Sequence, residues 1–356
     1  MTEGMAGVAS VMGSVREFTG VRADATVVEY LKPLRHFLDL PDLNEICINR
    51  PGELYLERSE GWQRVDVPEL TFQHCRSLAG AIATLTGQFT NENAPLLGAQ
   101  LPSGERIQFV QPGATTAGTV AVCIRKPSTF LPRLDLFEGQ GLFARVRPNS
   151  NQLKPFEHEL LKLKEEGRYA EFLRKAVLFH QTIVVAGKTG SGKTTFMKAL
   201  VEEVPRHERL ITIEDTAELL LPSHDNKLHL FYSKNSQGTS AVDAKQLLEA
   251  CLRLPPDRIF LAEVRGEEAY YFLRLAASGH PGSVTSLHAG SCELAFEQIA
   301  LMVRESPAGG GMTMPEIKDL AREVIDVVVH FGNGSDGRHI TGIHYDPLAR
   351  LRKQGA

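Results

Sequence analysis

Eight consecutive residues carry the clearest chemistry in this sequence: Gly187, Lys188, Thr189, Gly190, Ser191, Gly192, Lys193 and Thr194. They fill the pattern G-x-x-x-x-G-K-[ST], with the apolar run 182–186 before them and a helical stretch over 193–204 that carries Thr195 as a further nucleotide-binding candidate. Glycines let the backbone aim its N–H groups at phosphate oxygens, and the N-terminus of the following helix adds a positive dipole end. Lys193 can reach the β- and γ-phosphates of a nucleoside triphosphate, and the Thr194 hydroxyl can ligate Mg2+. A plain glycine-rich turn would need neither that lysine nor the strand and helix around it.

Other candidates stand at the ends of strand-like runs. Glu263 closes the apolar run 258–262 and can position an attacking water, or hold a Mg2+-bound water together with Thr194. Glu214 and Asp215 follow the run 210–213, and ligands gather at the carboxyl ends of parallel strands. His280 and His288 flank the run 283–287, where either a γ-phosphate sensor or an ordinary surface histidine would fit. Arg106 and Arg125 lie on strand-like segments of the first half, and a forked, permanently charged side chain suits a phosphate at a domain interface.

A sheet must hold these residues together. The second half alternates strand-like runs (182–186, 210–213, 258–262, 283–287) with helical ones (193–204, 241–254, 267–278, 293–305). Such alternation predicts an α/β domain with a largely parallel sheet. Ser240 with Asp243 reads as a capping box, Pro255-Pro256 as a stop, and 327–345 as a hairpin turning at 332–337. The first half is mixed: helices at 26–38 and 72–86, strands at 45–49, 53–57, 106–110 and 119–124. The expected division is a mobile leader at 1–24, an N-terminal α+β domain at 25–126, a Pro-, Gly- and Asn-rich linker at 127–156 and a nucleotide-binding domain at 157–356.

Composition narrows the function classes. A chain of 356 residues suits two domains. Lys+Arg 39 against Asp+Glu 43 leaves −4, which is not a generally basic nucleic-acid binder, and no sequence-specific nucleic-acid partner is expected. No apolar run approaches the ~18–20 residues that span a bilayer. The N-terminal stretch has Glu3 as its first charge, unlike the basic start of a signal peptide. Cys47, Cys75, Cys123, Cys251 and Cys292 form no C-x-x-C pair, and the scattered set suggests reduced thiols in a cytoplasm. The basic tail from Arg350 to Lys353 reads as a solvated end.

The ordered set GKTGSGKT, LITIEDTAEL, RIFLAEVRGEEA and SGHPGSVTSLHAGS resembles the secretion traffic ATPase family, the hexameric motors of type IV secretion and conjugation. NEICINRPGELYLE, LPSGERIQF and VCIRKPS resemble that family's N-terminal domain, so the likeness covers most of 24–345. It implies a RecA-like P-loop motor domain with a smaller α+β N-terminal domain, and hydrolysis of ATP with Mg2+. It makes Glu214, Asp215 and Glu218 an acidic box, Glu263 the Walker B acid with Arg265 in the same motif, and His280 and His288 a histidine box. Arg106 and Arg125 resemble N-terminal-domain arginines that reach the terminal phosphates. Ala262 stands where the family has glycine. The resemblance further implies a homo-hexamer at the cytoplasmic face of the bacterial inner membrane, with secretion-channel partners and a secreted protein or nucleoprotein. The missing four-cysteine module favours the type IV branch over type II secretion and pilus motors, and the long linker resembles members whose domains are exchanged between subunits.

Other classes fit less well. A small-molecule kinase needs an acceptor pocket that no motif announces. A switch GTPase needs N-K-x-D, and Asn226-Lys227-Leu228-His229 ends in histidine. A nucleic-acid motor draws no support from the net charge. A nucleotide-gated scaffold without turnover has no use for both Lys193 and Glu263.

Overall fold

The computed structural model describes residues 24–127, 133–146, 152–233, 240–335 and 337–349. The expected leader up to residue 23 and the basic tail from Arg350 to Lys353 lie outside the described residues. The chain opens with α1 (Ala25–Tyr30) and α2 (Lys32–Leu38) rather than one helix. Pro33 lies in the first turn of α2, where its missing N–H is tolerated but cannot continue the ladder of α1.

Six strands follow: β1 (Glu45–Ile48), β2 (Glu53–Arg58), β3 (Gly61–Asp66), β4 (Leu96–Gln100), β5 (Arg106–Val110) and β6 (Ala121–Arg125), with α3 (Phe72–Leu85) after β3. They pair antiparallel in the order β3-β2-β1-β6-β5-β4. Residues alternate between faces along each strand. Ile46, Ile48, Ile107, Phe109, Val122 and Ile124 pack against α1, α2 and α3. Cys47, Tyr55, Val110, Ala121 and Cys123 point the other way and join the core of the second half. Both faces are therefore covered, which is why β1 is buried at every position although its sheet is antiparallel.

Between the two sheets the chain forms α4 (Leu134–Gly139) and a 3-10 turn (Leu142–Arg145), neither of which buries a residue. The second half runs α5 (Pro155–Glu165), α6 (Tyr169–Leu178), β7 (Ile183–Gly187), α7 (Lys193–Glu202), β8 (Leu210–Glu214), β9 (Lys227–Phe231), α8 (Ala244–Cys251), β10 (Arg258–Leu261), α9 (Glu268–Ala277), β11 (Val284–Leu287), α10 (Cys292–Glu305), α11 (Met314–Val324), β12 (Val327–Gly334) and β13 (Gly337–Tyr345). The sheet order is β13-β12-β7-β11-β10-β8-β9, parallel except for the closing β12–β13 hairpin. Helices α5, α6 and α7 cover one face, and α8 to α11 cover the other. This is the layered α/β arrangement that the alternation predicted. The cap of α8 differs: Asp243 and Gln246 exchange side-chain to backbone bonds at 2.7 and 3.0 Å, while Ser240 bonds Val242 N instead.

The first sheet docks at the β9 edge. Phe231 N donates to Ala114 O at 2.9 Å and Thr115 Oγ1 to His229 O at 2.8 Å, so the edge strand is capped. Beside it, fully buried Arg209 donates to Asn49 Oδ1 and Leu254 O at 2.7 and 3.1 Å. Its fork also reaches Asn226, the first residue of the false guanine motif, which serves this seam.

Candidate active site

The phosphate loop leaves β7 at Gly187 and enters α7 at Lys193. Its turn needs positive φ at Gly190 (72°) and Gly192 (104°), a region that costs side-chain-bearing residues strain. Gly187 has no room for a side chain: a Cβ there would meet Phe331 O at 2.7 Å and Ser191 Oγ at 2.8 Å. Lys193 Nζ donates to the loop, to Gly187 O at 3.1 Å and Lys188 O at 3.2 Å. Burial lowers its pKa, and Glu263 partly offsets that. The Ser191 side-chain oxygen is buried with no hydrogen-bond partner among the described residues. A polar loop with a cation resting on carbonyl oxygens is a cradle suited to phosphate.

The other reacting groups arrive from neighbouring strands. Parallel strands β7, β11 and β10 end at the same edge of the sheet, so their following residues converge. His288, just past β11, lies 3.4 Å from Lys193 Nζ through Nδ1 and 2.7 Å from Glu263 Oε1 through Nε2. Glu263, just past β10, also pairs with Arg265, whose other nitrogen holds Asp215 at 3.2 Å. Burial raises the Glu263 pKa, with His288 and Lys193 acting against it and Asp215 and Glu218 adding to it. A carboxylate so raised binds a proton more readily than an ordinary glutamate, which suits a group that takes a proton from water. Thr194 and Glu263 supply hydroxyl and carboxylate oxygen, the donors a hard divalent cation prefers. Mg2+ takes few protein ligands and relies on phosphates and water, so this short donor set fits it.

Glu214 and His280 have other partners. Glu214 is 1% exposed, and its Oε2 accepts the N–H groups of Glu218 and Leu219 at 2.8 and 2.7 Å. Burial pushes its pKa up, but His229 and those N–H bonds outweigh it and the net shift is downward, so the side chain shapes the 215–219 turn as a carboxylate. Its neighbour Asp215 is the acid that joins the Glu263 cluster through Arg265. His280 precedes β11 and bonds Pro256 O at 3.1 Å, so the length of β11, about 13 Å at ~3.3 Å per residue, separates it from His288.

Arg106 and Arg125 form a cross-strand pair on β5 and β6. They line a cleft of about 340 Å3 with Leu252 and Arg253, and Arg125 lies 3.5 Å from Glu45. The cradle is a separate pocket of about 210 Å3, lined by Gly190, Gly192, Lys193, Thr194, Thr195 and Arg338. The two share no lining residue. The first sheet seats on β9, four strand steps from β7, or about 19 Å at ~4.8 Å per step. Sequence reasoning missed Arg338, whose only signal was its place in the second strand of the hairpin.

The match to known proteins is extensive. The family model described as Type II/IV secretion system protein matches residues 29–308. The chain belongs to this family. It is 50% identical over 338 residues to the type IV secretion system protein VirB11 of Brucella suis biovar 1 (strain 1330), covering 94% of each chain. It is 41% identical over 306 residues to the type IV secretion system protein PtlH of Bordetella pertussis (strain Tohama I), covering 86% of this chain and 90% of that one. The crystal structure of the VirB11 ATPase from the Brucella suis type IV secretion system, in complex with sulphate, superposes with a TM-score of 0.88 at 51% identity. That alignment covers 92% of this chain and all of the other. The chain is a P-loop ATPase of this family, with a RecA-like motor domain and an N-terminal domain, as the ordered motifs implied.

Proposed function

We propose that this protein hydrolyses ATP as one subunit of a ring that powers type IV secretion. The convergence of Lys193, His288 and Glu263 at one sheet edge supports hydrolysis. Hydrolysis needs a water aimed in line with the γ-phosphate and neutralisation of the charge that develops there. Glu263 orients that water and accepts its proton. Lys193 leaves the loop carbonyls for the arriving phosphates. His288, which bridges Lys193 and Glu263, reports whether the γ-phosphate is present. Thr194, with Glu263 through water, would hold Mg2+, which supplies electrostatic stabilisation of the phosphate oxygens. The type IV assignment rests on relatives whose names carry it.

The position of Arg106 and Arg125 carries the ring reading. They line a cleft that shares no residue with their own chain's cradle, and they are paired across the strands, exposed and cationic. We infer that they reach the terminal phosphates of a nucleotide held by a neighbouring copy, so that six copies in a ring complete six sites. Such a ring would work at the cytoplasmic face of the inner membrane against the channel components of a secretion system, moving a protein or nucleoprotein. No helix among the described residues is long and apolar enough to cross a membrane, so attachment would be peripheral.

Subunit mixing tests the inference. Lys193→Ala and Arg125→Ala are each expected to be nearly inactive alone. Mixed and allowed to reassemble, they regain a measurable fraction of wild-type ATPase activity, because an intact loop then meets an intact arginine across some interfaces. If Arg125 acts on its own chain's nucleotide, every subunit keeps one lesion and mixing restores nothing.

A further inference from the structure

We propose that Arg338 is a nucleotide-contacting residue that holds the α-phosphate of the bound nucleotide, on the side of the loop opposite Glu263. The inference rests on the phosphate-loop reading above and extends it to a residue outside all four motifs.

Arg338 lies in β13 and lines the same pocket as Gly190, Gly192, Lys193, Thr194 and Thr195. A Cβ built on Gly192 would lie 3.6 Å from Arg338 Cδ, so the arginine stem rests against the loop backbone just where α7 begins. The side chain is exposed, leaving its guanidinium free to swing onto a ligand.

The strand beneath it is fixed to the loop. β12 pairs in parallel with β7, and the pairing runs up to Phe331 opposite Gly187, the first loop residue. The Phe331 ring meets Phe196 of α7 at 5.0 Å between centroids. Asn333 of β12 pairs with Arg338 of β13, which sets the arginine over the loop by strand register. A site carried by paired strands is held more firmly than one on a free loop.

Sheet order decides which phosphate Arg338 meets. Glu263 follows β10, two strand steps to one side of β7, whereas β13 is two steps to the other side. Lys193 Nζ turns towards His288 on the β11 side, so the γ-phosphate end lies there. The nucleotide then extends across Gly192 and the first turn of α7, past Thr194 and Thr195, to its α-phosphate and nucleoside. Arg338 stands on that side. A guanidinium offers a planar fork of donors to phosphate oxygens and keeps its charge at every accessible pH.

Calorimetric titration of the full chain with Mg·ADP and with Mg·tripolyphosphate tests this, since both carry phosphate to that position and only one carries a nucleoside. Arg338→Ala is expected to weaken both ligands about tenfold, the loss of one charged hydrogen-bonding partner. Arg338→Lys is expected to stay within about threefold of wild type, because a second cation meets the same charge. Thermal unfolding of Arg338→Ala should match wild type. Unchanged ADP affinity in Arg338→Ala would overturn the inference. So would a loss confined to ADP, which would place the guanidinium on the nucleoside. Lys193→Ala separates the two levels: if it abolishes binding while Arg338→Ala is neutral, the loop reading stands and only Arg338 is wrong. If Lys193→Ala binds ADP like wild type, the loop reading itself fails.

Discussion

Lys193→Ala is expected to lower ATP turnover by about 10³-fold or more, the largest effect of any single substitution in this chain. The lysine is the cation that the loop carries to the phosphates, and its stem is already packed, at 8% exposure. Arg265 cannot replace it, being committed to Glu263 and Asp215, and Arg338 stands on the opposite side of the loop from His288 and Glu263. Lys188 contributes its carbonyl, which accepts from Lys193 Nζ at 3.2 Å. Because Lys193 is bonded to loop carbonyls, the alanine variant loses those contacts too. The loop glycines keep their conformation regardless, so the fold should survive and far-ultraviolet circular dichroism should be unchanged. Phosphate release assayed beside nucleotide titration checks both halves: the variant must lose turnover and also bind ADP more weakly.

Glu263→Gln should separate binding from chemistry. Glutamine keeps the shape and can still meet Arg265 and His288, but it cannot take a proton from water. Turnover is expected to fall by about 10²–10⁴-fold, with ADP affinity within about threefold of wild type. A variant that hydrolyses ATP at the wild-type rate would remove Glu263 from the mechanism. The pH profile provides a second reading. Burial raises the Glu263 pKa, so the neutral, inactive form persists to higher pH than for an ordinary glutamate. Activity should therefore decline as pH falls, starting above the usual carboxylate range, and the Gln variant should lose that acid limb.

How much of this was readable beforehand depended on how local each feature is. The phosphate loop is eight adjacent residues whose glycines, lysine and threonine each have a separate reason to be there, and the structure uses them as a unit. Strand direction needed the sheet: His280 and His288 sit in similar Gly-containing stretches, and only the parallel pairing of β11 with β7 separates a far-end histidine from one at the cradle. Glu214 and Asp215 are adjacent, and which of them faces the cluster is set by the turn that Glu214 itself caps. β9 escaped sequence reading because its five residues hold only two buried leucines, Leu228 and Leu230, and its stability comes from β8 on one side and Thr115 on the other. β4 was missed because Gly98 interrupts it; a Cβ there would meet Arg253 at close range, so the glycine serves a contact 155 positions away. Arg338 was invisible for the same reason, since its relation to Gly192 exists only through the register of the β12–β13 hairpin.

The central claim is that the nucleotide site is completed by assembly, with arginines from another copy. Steady-state ATP hydrolysis measured against subunit concentration tests it most directly, with Lys193→Ala as the control for contaminating activity. The account predicts specific activity that rises with concentration and then levels off, and a silent control. Specific activity that is constant per subunit down to concentrations where the protein is monomeric, with the control still silent, would mean that one chain holds the whole site, and would contradict the role given to Arg106 and Arg125.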